Sequence, residues 1–264
     1  MSLTYSRYLR LPELLELQEP RSSGPEHDEM LFIIVHQVYE LWFKQILHEL
    51  DFLSQQFRGY TPHNDTAPEV RHTLRRILSI LKTMVAQVDI LETMTPISFN
   101  SFRARLDTAS GFQSPQFREA EFRLGLRVPA MLRFHEENPK ALERLKRSLE
   151  SPSLYQDFLA YVRARGYKIP SGLIDEPCDA PIESPEVQQI LLEIYRRDDR
   201  LTMVCELLVD LDEGLQEWRY RHVKMVERTL GNKRGTGGSS GVDYLKKTLF
   251  RPVFPDLWAI RSEL

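Results

Sequence analysis

Two long stretches of this chain carry apolar residues at intervals of three and four, and that spacing decides the fold class. From Glu29 to Phe57 the recurring residues are Phe32, Tyr39, Phe43, Ile46, Leu47 and Leu50. From Ala67 to Glu92 they are Val70, Leu74, Ile77, Leu81, Met84, Val88 and Leu91, set against a face of arginine, lysine and glutamine. A helix turning once in about 3.6 residues collects such positions on one side, where they can be buried together. No segment alternates apolar and polar residues as a half-buried strand requires. There is no internal repeat and no heptad pattern long enough for a coiled coil. The expectation is an all-α fold.

Proline and serine punctuate the rest. Pro96 is read as closing the second helical region, and shorter helices are expected over 97–106, 115–124, 129–135, 139–150 and 153–165, each introduced by proline or serine. The polar, proline-rich stretch from Ile169 to Pro185 has the composition of a domain linker. It is read instead as a long surface connection, because the helix that follows has too little apolar face to build a core of its own. A final helix is expected over about Pro185 to Leu230, either continuous or broken near Arg200, with Leu192, Leu201, Leu208, Leu215, Trp218 and His222 among its stripe. Residues 1–264 are therefore read as one helical domain.

Composition narrows the function classes. The 42% apolar content of a 264-residue chain can fill a core. The 35 basic and 38 acidic residues are interspersed, which argues against nucleic acid or an anionic membrane as partner. Cys178 and Cys205 are too few for a disulfide framework and form no CxxC pair, so a reducing cytoplasm is expected. The longest purely apolar run, Met30 to Val35, is far too short for a membrane span.

Three features could carry chemistry. His36 and His222 each stand on an apolar helix face, outside any HExxH motif or His/Asp/Glu cluster. Such a histidine is either a hydrogen-bonded core residue or the single protein ligand that a haem needs, the porphyrin supplying the other donors. Gly231 to Gly241 holds five of the chain's twelve glycines. It reads as a helix cap running into a linker, or as a loop that folds over a small ligand and brings the Thr236 hydroxyl to it. It lacks both the Walker and the dinucleotide order of glycines. Phe99 and Arg103 share one helix face, where the arginine is either a surface residue or a bidentate clamp for a ligand carboxylate.

Taken together, six blocks resemble the tryptophan 2,3-dioxygenase family. They are TYSRYLRL (Thr4 to Leu11), HDEMLFIIVHQVYELWFK (His27 to Lys44), FRARLDTASGFQS (Phe102 to Ser114), SLYQDFL (Ser153 to Leu159), WRYRHV (Trp218 to Val223) and GNKRGTGGSSG (Gly231 to Gly241). The resemblance runs in order from Thr4 to near the C-terminus.

That resemblance implies an all-α protomer assembling as a homotetramer, a dimer of dimers, with one haem b per subunit active in the Fe(II) state. It implies insertion of O2 into L-tryptophan, cleaving the indole C2–C3 bond to give N-formyl-L-kynurenine, the first step of the kynurenine pathway. His222 matches the axial iron ligand and His36 the distal histidine beside the indole N–H. The substrate-binding run corresponds to Phe32, Ile33, Ile34, Val35 and His36. Arg103 matches the residue that grips the substrate carboxylate, Thr236 the one meeting its amino-acid end, Phe99 the pocket wall, and Ser110 a position near the haem edge. Tyr5, Tyr8 and Leu9 match residues that reach a neighbouring subunit's pocket, so the segment 1–25 is expected to contact another copy. The competing expectations are a relative that oxidises another indole, and a haem-binding or interaction protein without activity.

Overall fold

The computed structural model describes residues 2–24, 26–107, 109–175, 178, 180–231 and 241–264. Within them the elements are helical: α1 (Tyr5–Leu9), α2 (Leu11–Leu15), α3 (His27–Arg58), α4 (Ala67–Leu91), α5 (Pro96–Arg103), α6 (Pro115–Arg123), α7 (Pro139–Glu150), α8 (Leu154–Ala164), α9 (Pro185–Arg197), α10 (Asp199–Leu230), α11 (Gly241–Lys246) and α12 (Pro255–Ala259). Short 3-10 turns join several of them.

α3 and α10 each pack along α4, which lies between them. Of the apolar residues expected on α3 and α4, Phe32 and Tyr39 are only partly buried, while Leu50, Val70, Leu74, Ile77 and Met84, with Leu53 beside them, are all within 1% of complete burial. They join Leu201, Val204, Leu208 and Leu211 of α10 in the main core. Side chains this closed have little room to relax, so truncating Leu53 or Leu74 to alanine costs about 2–5 kcal/mol.

The ends of the helices follow local chemistry. Asp28 and Glu29 occupy the first turn of α3, where negative charge meets the positive end of the helix dipole. Pro96 does not close a helix but opens one. It sits in the first turn of α5, where its missing N–H costs nothing, and the Thr95 hydroxyl accepts from Ser98 N at 3.1 Å. The segment Pro129–His135 is a 3-10 helix rather than an α-helix. The final helical region is broken at Asp198, two residues before the expected joint. Asp198 has left helical dihedrals (φ −129, ψ 83), and its carboxylate accepts from Leu201 N at 3.0 Å to start α10 afresh. The connection after Ile169 is held to the main core by Ile169 and Ile174, so it does not divide the chain into two cores.

α1 and α2 bury no residue. The polypeptide beyond them is tied to α3 through Gln37, whose amide donates to the Leu17 carbonyl at 2.9 Å. No helix among the described residues is long and apolar enough to cross a membrane.

Candidate functional site

α3 and α10 meet through aromatic rings, Phe43 standing edge-on to Trp218 at 5.8 Å between centroids. Beside this contact they part around a cavity of about 300 Å³. Phe32, His36, Tyr39, Glu40 and Phe43 face it from α3, and Trp218, Arg219, His222, Val223, Met225 and Val226 from α10. The steps of three and four between these positions are those of one helix face. The same cavity takes Phe99 and Arg103 from α5, Ser110 and Phe112 from the following turn, Arg118 and Glu121 from α6, and Tyr244 and Thr248 from the C-terminal region.

Of the residues singled out in the sequence, Phe32, His36, Phe99, Arg103, Ser110 and His222 are thus brought to one space. Ile33, Ile34 and Val35 are not on its wall. They fall between Phe32 and His36 on the helix and turn away: Ile34 is exposed, and Val35 packs in a small apolar cluster with Leu91, Met94, Phe99 and Phe102. Tyr5, Tyr8 and Leu9 are exposed on α1, away from the cavity. Thr236 lies outside the described residues.

The α3 side of the cavity is an aromatic pocket. Phe32 lies 4.0 Å from His36 and 5.7 Å from Phe99 between ring centroids, with Phe102 edge-on beneath both phenylalanines. His36 Nδ1 is 2.7 Å from the Phe32 carbonyl oxygen. A carbonyl only accepts, so Nδ1 carries the proton and Nε2 keeps its lone pair. The ring is reached from the cavity, and His36 therefore counts as exposed. The protein packed around it is nonetheless dense enough that burial lowers its pKa, against the opposing pull of the Phe32 carbonyl and Glu40. His36 is neutral at pH 7.

On the opposite side the His222 ring lies against Trp218, planes 8° from parallel and centroids 5.5 Å apart. Burial lowers its pKa to about 4, with smaller contributions from His36 and Arg219. Among the described residues it makes no hydrogen bond, so a neutral imidazole nitrogen is available as a donor to a metal. No group of three or more histidine, cysteine or acidic side chains stands together among the described residues. A metal held by His222 therefore draws its remaining donors from something other than such a cluster. Tyr39, also on the wall, has its pKa raised to about 12 by burial, and its hydroxyl donates to the Met84 carbonyl at 2.8 Å. It is not a proton source at neutral pH.

Several lining residues escaped the sequence reading. Arg118, Glu121 and Arg219 are charged residues buried on helix faces that point inward: Arg118 and Arg219 both donate to the Glu121 carboxylate, the latter at 2.6 Å. The available signal was spacing, since Arg118 and Glu121 stand three apart, as do Arg219 and His222. The cavity-lining Tyr244 meets Phe112 edge-on at 5.1 Å, a long-range pairing that no local pattern announces.

A family model described as tryptophan 2,3-dioxygenase matches residues 1–168 and 186–264 of this chain. Relatives named tryptophan 2,3-dioxygenase include one from Herpetosiphon aurantiacus, 57% identical over all of this chain and 99% of its own length. Another, from Anaeromyxobacter dehalogenans, is 52% identical over all of this chain and 97% of its own. A third, from Caulobacter vibrioides, is 45% identical over 99% of this chain and 98% of its own.

Proposed function

Because the chain belongs to the tryptophan 2,3-dioxygenase family, we propose that the cavity between α3 and α10 is where it inserts O2 into L-tryptophan to give N-formyl-L-kynurenine. The observation that carries this reading is the placement of His36, Arg103, Phe32 and Phe99 with His222 around one cavity.

The residues present fit haem b. His222 offers an uncharged nitrogen with no other partner among the described residues, and Val223, Met225, Val226 and Trp218 give the wall around it an apolar surface. When bound, ferrous haem supplies the activation of O2 that side chains cannot. In this reading His222 would be the residue that holds the haem iron.

The chain's own part is to position the substrate. Arg103 takes the carboxylate through paired charge-assisted hydrogen bonds. Phe32 and Phe99 hold the indole by ring contact, and His36 Nε2 accepts from the indole N–H, a role its Nδ1–H bond to the Phe32 carbonyl prepares. Ser110 lines the cavity, and Thr236, by the family resemblance, is assigned to the amino-acid end of the substrate. Holding both reactants in a mostly apolar cavity removes much of the entropic part of the barrier and keeps water away.

A homotetramer accounts for the N-terminal segment. Tyr5, Tyr8 and Leu15 are 71–75% exposed on short helices that bury nothing in their own protomer, and Leu3 just before them is 73% exposed. Large apolar side chains so displayed favour burial against another copy. Cys178 and Cys205 are free thiols, which fits the cytoplasm.

The test is purification, haem supplementation and anaerobic reduction, followed by air and L-tryptophan. A Soret band and the absorbance of N-formylkynurenine are expected. Absence of the band after supplementation refutes the cofactor assignment, and turnover of other indoles but not tryptophan refutes the substrate.

A further inference from the structure

Behind the aromatic contact where α3 and α10 meet lies a second, much smaller cavity of about 30 Å³. Phe43, Phe117 and Trp218 stand between it and the large cavity, each lining both. Their ring centroids are 5.1–5.8 Å apart, so the partition is a set of rings in mutual contact. The far wall is aliphatic. Ile77 and Leu81 of α4 and Leu211 and Leu215 of α10 form it, none more than 6% exposed, and Ala120 closes it from α6.

A well-packed interior holds few voids wider than a water molecule. This one is wide enough, since a water needs only about 10–15 Å³. Its chemistry does not suit one. A buried water makes about three hydrogen bonds, and the only nitrogen or oxygen atoms on the lining side chains are those of Glu121 and Trp218. The Glu121 carboxylate is taken by Arg118 and Arg219. Trp218 Nε1 is buried without a hydrogen bond among the described residues, the Tyr39 hydroxyl near it donating to the Met84 carbonyl. The backbone here, Leu124 apart, belongs to α3, α4, α6 and α10, whose amides and carbonyls are engaged by helix or cap hydrogen bonds. A lone N–H leaves a water short of partners, so the cavity stays dry. The guest that gains by entering asks for no hydrogen bond and restores the dispersion contacts that a void forfeits.

We propose that this cavity is a docking pocket for dioxygen, which passes from it into the large cavity when one of the partition rings rotates. This rests on the reading of O2 as co-substrate above. Dioxygen is apolar and diatomic, which matches a dry space of this size; an indole or an amino acid is far too large for it. Packed side chains change rotamer without unfolding the core around them, so the partition delays passage without forbidding it. A ligand of two atoms binds no more tightly than about the millimolar range. The pocket therefore fills and empties as O2 passes and does not store it.

The test places krypton, a monatomic apolar gas close to O2 in size, on crystals of the whole protein, with haem and without it. A krypton peak bounded by Ile77, Leu81, Leu211 and Leu215 is expected in both, because the pocket is built from side chains alone. Failure to load haem would thus sink the haem reading and leave this peak in place. Crystals with no krypton there, or with an ordered water on Trp218 Nε1 that gas pressure does not displace, overturn the pocket.

Its part in the reaction is read from initial rates against O2 concentration at saturating L-tryptophan. Ala120→Val adds two methyl groups to the wall. It is expected to lose the krypton peak and raise KM for O2 severalfold, with kcat and KM for tryptophan unmoved. Ile77→Val takes one methyl group away, among the mildest of core truncations. It is expected to keep krypton bound, with KM for O2 no higher than in the unaltered protein. A KM for O2 that does not move when Ala120→Val has excluded krypton overturns the docking role, and so does a raised one in Ile77→Val.

Discussion

Trp218 and His222 lie face to face, one turn apart on α10, with their planes 8° from parallel. Trp218 is itself fixed by Phe43, Phe117 and Tyr39, whose ring centroids lie 5.1–6.5 Å from its own. The imidazole therefore has a rigid floor. Such ring contacts contribute about 0.5–1.5 kcal/mol beyond area burial. Trp218→Leu is expected to keep haem binding but release haem about 2- to 10-fold faster, read by transfer to apomyoglobin. An unchanged release rate would mean that His222 is oriented by something other than the stack.

His36 is set up as an acceptor by the backbone of its own helix. With Nδ1–H committed to the Phe32 carbonyl, Nε2 can only accept while the ring stays neutral. Replacing it by phenylalanine keeps an aromatic surface and removes the acceptor. His36→Phe is expected to lower kcat/KM for L-tryptophan about 10-fold, the cost of leaving a buried N–H unpaired. Turnover of 1-methyl-tryptophan, which has no indole N–H, serves as the internal control. Equal losses for both substrates would remove the hydrogen-bonding role.

How much of this was legible in the sequence depends on how local each signal is. The inward faces of α3 and α4 could be read off directly, because burial of Leu50, Leu74 and Met84 follows from helix period alone. The break at Asp198 was displaced because a side-chain cap, not a proline or glycine, makes it. α11 and α12 were missed: at six and five residues they carry too little periodicity to register. In the site, the gap between a run of sequence and a face of a helix mattered most. Phe32 and His36 face the cavity, whereas Ile33, Ile34 and Val35 between them are rotated off it. The Arg118–Glu121–Arg219 cluster was hidden because α6 and α10 meet only in the folded chain, with 98 residues separating Glu121 from Arg219.

Arg103 stands one helical turn after Phe99 and lines the cavity beside the aromatic pocket. If it takes the substrate carboxylate, its loss should fall on binding of the amino-acid portion alone. Arg103→Met is expected to raise KM for L-tryptophan about 10- to 100-fold. Tryptamine, which has no carboxylate, should be a poor substrate of the unaltered protein and change little in the variant. A KM for tryptophan that does not move would exclude the clamp.

The neutral state of His222 also makes a prediction about the cofactor-free chain. Its pKa falls from an ordinary 6.5 to about 4 on folding, chiefly because burial disfavours the charged ring. Between those values the unfolded chain carries a proton on this side chain that the folded chain does not. Protonation then favours unfolding, so the stabilising contribution present above pH 6.5 is lost progressively as pH falls toward 4. Other groups titrate in the same range, including Asp157, whose pKa burial raises. The informative quantity is therefore the difference between two proteins. His222→Phe retains a ring against Trp218 and cannot take up the proton. The slope of Tm against pH over this window is expected to be shallower for His222→Phe than for the unaltered chain, both free of haem. Parallel slopes in differential scanning calorimetry would show that His222 is not held neutral by the fold.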